Sequence, residues 1–326
     1  MKDVILGIDI GGTNTAFGFL DRDGISLAEG HLPTTEGETV HDFLRVLYKE
    51  VQNKFKKIED EARIIGVGVG APNGNFYTGQ IEHAPNLKWH GVVPFVELLS
   101  FYFKVPIFLT NDANAAAIGE MIYGSAKGMK NFVVITLGTG LGSGIVVNGE
   151  LVYGADGFAG ELGHTLVNVT GKGRVCGCGR RGCLETYVSA TGIKRTVYKY
   201  LADYTDYSEL RGISFNDLTA EMITLAAKRG DEIAIDAFEY TGKVLGIKLA
   251  DTVAHLSPEA IFLFGGLVRA EEFLFDPVRY HMEKNLLSVF KNKVKILPSG
   301  LGLKNTAVMG AAALAWKELE RGAVTA

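Results

Sequence analysis

The chain repeats one local plan twice, and that repetition limits its possible folds more than any other feature. Val4 to Ile8 is an apolar run rich in β-branched residues; the turn Asp9-Ile10-Gly11-Gly12-Thr13 follows, then a second run from Thr15 to Leu20. About 130 residues later, Asn131 to Leu137 breaks into Gly138-Thr139-Gly140-Leu141-Gly142-Ser143-Gly144, and β character resumes at Ile145 and Val146. Short apolar runs bounded by glycine-rich turns read as hairpin strands. Neither turn has the G-x-G-x-x-G spacing or the following helix of a dinucleotide fold, and a Walker A pattern is missing. Two copies of strand, turn and strand predict an internal duplication, with two like-folded α/β domains facing one another. The length of 326 residues agrees, since single cores stop growing near roughly 250–300 residues.

These turns also carry chemistry. Their backbone N–H groups, with the hydroxyls of Thr13 and Thr15, make a cradle suited to phosphate, and Gly138, Thr139 and Gly140 offer the same at the second turn. A phosphate chain caught between the two would explain why both are rich in donors. Asp9, at a strand end, is placed to orient a metal–phosphate complex. The competing reading is a hairpin turn built for tightness only. A third break, Ala260 to Phe264 into Gly265-Gly266, either lets backbone lie against a flat ring such as adenine or serves a tight turn.

Val105 to Leu109 is a short strand that runs through Thr110-Asn111-Asp112 into an alanine-rich helix. Asp112 thus lies where carboxylates project beyond the strand ends of an open α/β sheet. It reads as a general base or, alternatively, as the N-cap of that helix. Backbone N–H bonds to a capping carboxylate would lower its pKa, so the two roles conflict. Asn86 to Trp89 is a loop open to two readings, substrate contact or a tryptophan filling a surface gap. Helices are expected at Glu38 to Phe55, where Val40, Phe43, Leu44, Leu47 and Val51 share one face, and at Thr186 to Tyr200 and Glu232 to Val253. Ser214 to Asp217 resembles a helix start.

Glu161 to Glu185 gathers His164, Cys176, Cys178 and Cys183 between two carboxylates. Three thiols and an imidazole suit a tetrahedral structural zinc, although the one-residue gap between Cys176 and Cys178 is tighter than a usual knuckle. Redox use and ordinary buried thiols are the alternatives. Three cysteines within eight residues do not form a secreted disulfide framework, so a reducing, cytoplasmic setting is expected. The opening MKDVILGIDIGG is no signal peptide, no long apolar run predicts a membrane span, and a net charge of −4 disfavours a generic nucleic-acid surface.

Taken together, D-x-G-G-T at Asp9 to Thr13, N-D-A-N-A at Asn111 to Ala115, E-x-G-H at Glu161 to His164 and C-x-C-G-x-x-G-C-x-E at Cys176 to Glu185 resemble the bacterial sugar kinases of the repressor/open-reading-frame/kinase (ROK) family, over essentially the whole chain. The resemblance implies the actin-like ATPase (ribonuclease H-like) fold, α/β, with duplicated domains and an active-site cleft between them. Residues 1–120 would form one domain and 121–304 the other, with a helix at 305–320 packing back on the first. It implies an ATP-dependent kinase acting on the C6 hydroxyl of a hexose, glucose first, with mannose, N-acetylglucosamine, N-acetylmannosamine or fructose as alternatives and a non-catalytic sugar sensor as the rival class. Asp112 would be the base. Asn86, Asn111, Asp112, Glu161, His164 and Glu185 would hold the sugar, and His164, Cys176, Cys178 and Cys183 would bind Zn²⁺. Mg²⁺ would sit near Asp9, and a homodimer is common in the family. The family's repressors carry a DNA-binding domain ahead of the kinase-like part; here the first strand begins by residue 4, which disfavours that branch. The loop Gly70-Ala71-Pro72-Asn73-Gly74 has one asparagine more than the family's G-x-P-G form.

Overall fold

The computed structural model describes residues 1–302 and 306–325. They divide into two units: one holds Met1–Gly128, Leu151–Ala159 and the described residues of 300–326, the other Met129–Glu150 and Gly160–Ser299. The boundary placed at 120 falls inside a helix, and the start expected at 305 for the last helix lies outside the described residues.

In the first unit β1 (Lys2–Ile10), β2 (Asn14–Leu20) and β3 (Ser26–Pro33) form an antiparallel meander. A helix, α1 (Val40–Phe55), leads to β4 (Ala62–Ala71), which lies parallel to β1. A small sheet of β5 (Gly74–Asn75), β6 (Gln80–Glu82) and β7 (Val92–Val93) and the short α2 (Phe95–Ser100) come before β8 (Ile107–Asn111) and α3 (Asp112–Ile122). The main sheet has the order β3-β2-β1-β4-β8.

Side chains of β1 alternate as a pleated strand requires. Val4, Leu6, Ile8 and Ile10 enter one core with Phe43, Leu44, Leu47 and Val51 of α1, whereas Ile5 faces the opposite way. Thr39 starts α1 through a capping box: its hydroxyl accepts from Asp42 N at 3.2 Å, and its own N–H donates to Asp42 Oδ2 at 3.3 Å.

The second unit repeats the plan. β9 (Phe132–Leu137) and β10 (Leu141–Val147) form the hairpin, β11 (Glu150–Leu151) adds to its edge, and β12 (Ala260–Phe264) and β13 (Lys295–Pro298) run parallel to β9. The order β11-β10-β9-β12-β13 matches that of the first sheet strand for strand, as the duplicated sequence predicts. Its helices are α4 (Glu185–Val188), α5 (Ala190–Asp203), α6 (Ala220–Lys228), α7 (Glu232–Leu256) and α8 (Glu272–Asn285). Two expectations need correcting. The helix expected from Thr186 is broken at Ser189, which caps α5 through Gly192 N; and α6 is capped by Thr219 rather than started at Ser214.

α9 (Thr306–Thr325) returns to the first unit and covers β1 and β4. Its backbone lies so close that a Cβ on Gly68 would collide with the carbonyl oxygen of Ala311, and one on Gly310 with that of Ala115 in α3. Val308, Ala312, Ala315 and Trp316 of α9 complete the core around Ile5 and Leu20. No helix among the described residues is long and apolar enough to cross a membrane.

Candidate active site

In the first unit Asp9 and Asp112 are neighbours. β1 sets Asp9 opposite Gly70 of β4, and β4 in turn sets Ala71 opposite Asn111 of β8. Because Gly70 has no side chain, the space above it is left to the acids: a Cβ there would lie 3.8 Å from Asp9 Oδ1 and 3.7 Å from Asp112 Cα. Burial first, and then the charge of Asp112, push Asp9 up to about 7. Desolvation also raises Asp112, against the lowering effect of backbone N–H groups. Solvent nevertheless reaches the Asp112 side chain, so the acid is crowded by protein and still open to a ligand.

Two residues share the cap of α3. Asn111 is the N-cap of α3, its Oδ1 accepting from Ala113 N at 2.8 Å; Asp112 is the first helical residue and shares that donor through Oδ1, also at 2.8 Å. One acceptor position of the Asn111 oxygen is therefore taken, and its amide nitrogen keeps its N–H donors.

The turn after β1 is held by Gly11 N donating to Asn14 O at 3.0 Å, and Gly12 and Thr13 are exposed. A Cβ on Gly12 would lie 2.9 Å from the carbonyl oxygen of Asn86, so the Asn86 loop packs against this turn. Within that loop Asn86 is exposed, while Trp89 is buried against Phe43 and Phe95, as the gap-filling reading expects. Thr15 is a correction. Its hydroxyl is fully buried and lies 2.8 Å from the Thr34 hydroxyl, so it braces the hairpin from inside and cannot reach a phosphate. The extra Asn73 adopts a left-handed backbone (φ 52°) and donates Nδ2 to the carbonyl oxygens of Glu82 and His83, at 2.9 and 3.3 Å, fastening the small sheet.

In the second unit the turn at 138–140 has Gly138 and Thr139 exposed, with Gly138 N donating to Gly140 O at 3.1 Å. It is braced by Ala190 N to Gly138 O (2.9 Å) and by the Thr191 hydroxyl to Thr139 O (3.2 Å). Glu185 joins this bracing, since its Oε2 accepts from Leu141 N at 2.9 Å. A Cβ on Gly140 would meet that carboxylate and displace it from Leu141 N. Sequence reasoning assigned Glu185 to sugar and missed this bond, because nothing local relates residue 185 to residue 141. Gly265 needs its glycine for close approach: its φ is +109°, and a Cβ would lie 2.5 Å from Leu137 O. Gly266 is exposed, with no atom near its missing Cβ, and is the one of the pair open to a flat ring.

His164, Cys176, Cys178 and Cys183 converge, their ligand atoms all within 4.8 Å of one another. Cys178 and Cys183 Sγ are 3.7 Å apart, and Cys176 Sγ is 3.8 Å from His164 Nδ1. A zinc tetrahedron with bonds of ~2.3 Å to sulfur has edges of roughly 3.8 Å, which these two separations match, and the donor set is one that zinc takes. With Nδ1 on the thiol side, Nε2 faces outward, 3.8 Å from Glu161 Oε2, which is beyond hydrogen-bond distance. Cys178 is brought down to about 6: burial opposes this, but the Arg180 backbone and guanidinium outweigh it. Arg180 also donates Nη2 to His164 O at 3.1 Å, which braces the loop.

The ROK family description matches residues 5–318. Glucokinase of Halalkalibacterium halodurans is 36% identical over 289 residues, covering 85% of this chain and 84% of that protein. Among solved structures, a ROK family glucokinase from Streptomyces griseus in complex with glucose and AMPPNP superposes with a TM-score of 0.80 at 29% identity, over 96% of this chain and 99% of that one. A ROK family transcriptional regulator, a homologue of the E. coli MLC protein, gives a TM-score of 0.86 at 26% identity, covering 96% of this chain but 78% of that one.

Proposed function

Because this chain belongs to the ROK family, whose actin-like duplicated fold it shares, we propose that it is an ATP-dependent hexose kinase transferring the γ-phosphoryl group to a C6 hydroxyl, with glucose as the first acceptor. The observation that supports this most is the pairing of Asp9 with an open Asp112, both held above the ordinary carboxylate range, beside an exposed glycine turn. In this reading Asp112 accepts the proton of the attacking hydroxyl, and a raised pKa suits a base that works near neutrality. Asn86, the amide nitrogen of Asn111, Glu161, His164 Nε2 and the remaining oxygen of Glu185 hold the sugar. The Gly11 and Gly138 N–H groups close the two turns, and the backbone donors at Gly12 and Thr13, and at Thr139 and Gly140, hold the phosphates, with Gly265 shaping the bend that lets Gly266 approach the nucleotide's ring. Phosphoryl transfer asks for little covalent machinery, so alignment and charge neutralisation carry it.

Asp9 is the residue that would hold Mg²⁺, directly or through water, and the ion would neutralise phosphate charge. A cation there also suits two adjacent acids that oppose each other's ionisation. Zinc at His164, Cys176, Cys178 and Cys183 would brace the loop, keeping Glu161, His164 Nε2 and Glu185 in place; four protein ligands leave it no catalytic position. The same reading takes the enzyme as a homodimer with no nucleic-acid partner. The deciding assay is ADP release against a panel of hexoses and N-acetylhexosamines. Glucose should give the highest kcat/KM; ADP release that is independent of any sugar would overturn the proposal.

A further inference from the structure

Arg174 lies in the second unit, two residues before Cys176, with its guanidinium half-buried and stacked 4.6 Å from the centre of the Tyr187 ring. Among the described residues its side chain forms no ion pair, and its three hydrogen bonds all go to neutral oxygens. Nη1 donates to the carbonyl oxygens of Thr186 and Gly192, both at 2.9 Å, and Nη2 donates to the Thr196 hydroxyl, also at 2.9 Å. A charge withdrawn from water without a counter-charge is costly, so its placement asks for a reason.

The reason lies in where those acceptors stand. Thr186 belongs to α4 and Gly192 to α5, and the two helices are separated by the break at Ser189. A single nitrogen, Nη1, thus bonds to the helices on either side of that break. Nη2 fixes a second point one turn further along α5. The Arg174 backbone is itself tied to α4, its N–H donating to the Tyr187 hydroxyl at 3.2 Å. The helices also meet closely, since a Cβ on Gly192 would lie 2.6 Å from the carbonyl carbon of Tyr187.

These helices hold the second glycine turn from its two ends. From α4, Glu185 Oε2 accepts from Leu141 N. From the start of α5, Ala190 N and the Thr191 hydroxyl hold the carbonyl oxygens of Gly138 and Thr139. A change in the angle between α4 and α5 would pull one end of the turn against the other, and would re-aim the N–H groups of Thr139 and Gly140.

We propose that Arg174 is a positioning residue for the nucleotide: by fixing α4 against α5 it sets the shape of residues 138–141 and so the aim of their donors at phosphate. This rests on the reading of that turn as a phosphate cradle. Arg174 acts through Glu185, Ala190 and Thr191 rather than by touching the nucleotide. Lysine cannot replace it, because one point charge does not reach acceptors on both helices and the Thr196 hydroxyl in a fixed plane.

The test is Arg174→Lys in the full-length protein, with AMPPNP affinity measured by calorimetry beside steady-state kinetics and zinc content. The Kd for AMPPNP and the KM for ATP should both rise about tenfold, the order expected when a charge-assisted hydrogen bond is lost, while the KM for the hexose rises by less than about threefold. Zinc content should equal that of the native protein, because the four ligands are untouched. A role confined to stability would lower Tm and the active fraction, and leave the Kd and both KM values where they were. Should Arg174→Lys fail to fold, Thr196→Val removes the Nη2 acceptor and keeps the arginine, and should raise the Kd for AMPPNP about threefold. An unchanged Kd for AMPPNP, an equal rise in both KM values, or loss of zinc would each overturn the proposal. Calorimetry separates it from catalysis: weaker AMPPNP binding in the variant, with no hexose supporting ADP release in the native protein, would sink the kinase reading and leave Arg174 its role.

Discussion

Asp112→Asn tests the acid pair from both sides. The substitution is isosteric and can keep the Oδ1 bond to Ala113 N, so α3 should start as before. Removing a general base costs typically 10²–10⁴ in rate, equivalent to about 3–5 kcal/mol of barrier, and kcat should fall by that factor. A second effect follows from geometry. Asp9 stands at about 7 rather than 3.8, with burial as the larger cause and Asp112 as the next. Without the neighbouring charge Asp9 should ionise at lower pH, though still above the ordinary range because its burial remains. Calorimetry of Mg²⁺·AMPPNP binding, run in two buffers of different ionisation enthalpy, reads the proton released as Asp9 ionises. In the native protein, proton release should be largest below pH 7 and affinity should rise with pH up to that point. In Asp112→Asn both trends should move to lower pH. Turnover within threefold of the native enzyme would remove Asp112 as base. An unmoved binding profile would show that the two acids do not share a field.

The same pair predicts a stability profile. A carboxyl raised in the folded state binds its proton more tightly there than in the unfolded chain, so folding is favoured at low pH, and that advantage is lost as pH rises from about 4 to about 7. Thermal melts of the ligand-free protein across that window should show the decline, and Asp9→Asn should flatten it; an equal slope in both proteins would refute the assignment. Cys183→Ser should lower metal content below one zinc per chain by elemental analysis and reduce Tm, and full zinc retention would contradict the ligand set. Glu185→Ala should raise the KM for ATP as well as for sugar, since it frees Leu141 N beside the second phosphate turn; an effect confined to sugar would deny that brace.

The duplicated architecture was legible because it is written in local pattern: each hairpin is a pair of apolar runs around a glycine turn, and each became β1–β2 or β9–β10. The convergence of His164 with the three cysteines was legible for the same reason, all four residues lying within a stretch of about twenty. What stayed hidden depends on distant partners. Thr15 looks like a phosphate donor until Thr34, nineteen residues on, takes its hydroxyl. Asn111 and Asp112 offer equally good caps in sequence, and backbone geometry decides between them. Residues 151–159 join the first unit although flanked by the second, and Asn75 secures them by donating to Asp156 O at 2.8 Å. No periodicity announces such an exchange. The break at Ser189 was missed because helical propensity runs through a point where a hydroxyl cap starts a new helix.

α9 has a consequence for biosynthesis. The grooves over Gly7 and Gly68 admit only a helix backbone, and the segment that fills them leaves the ribosome after the whole second unit. The earlier half of the molecule must therefore wait, with one side of its sheet uncovered, while the later half can already fold. Nascent chains stalled just before residue 306 should bind chaperones through that bare side and let go once the final helix docks.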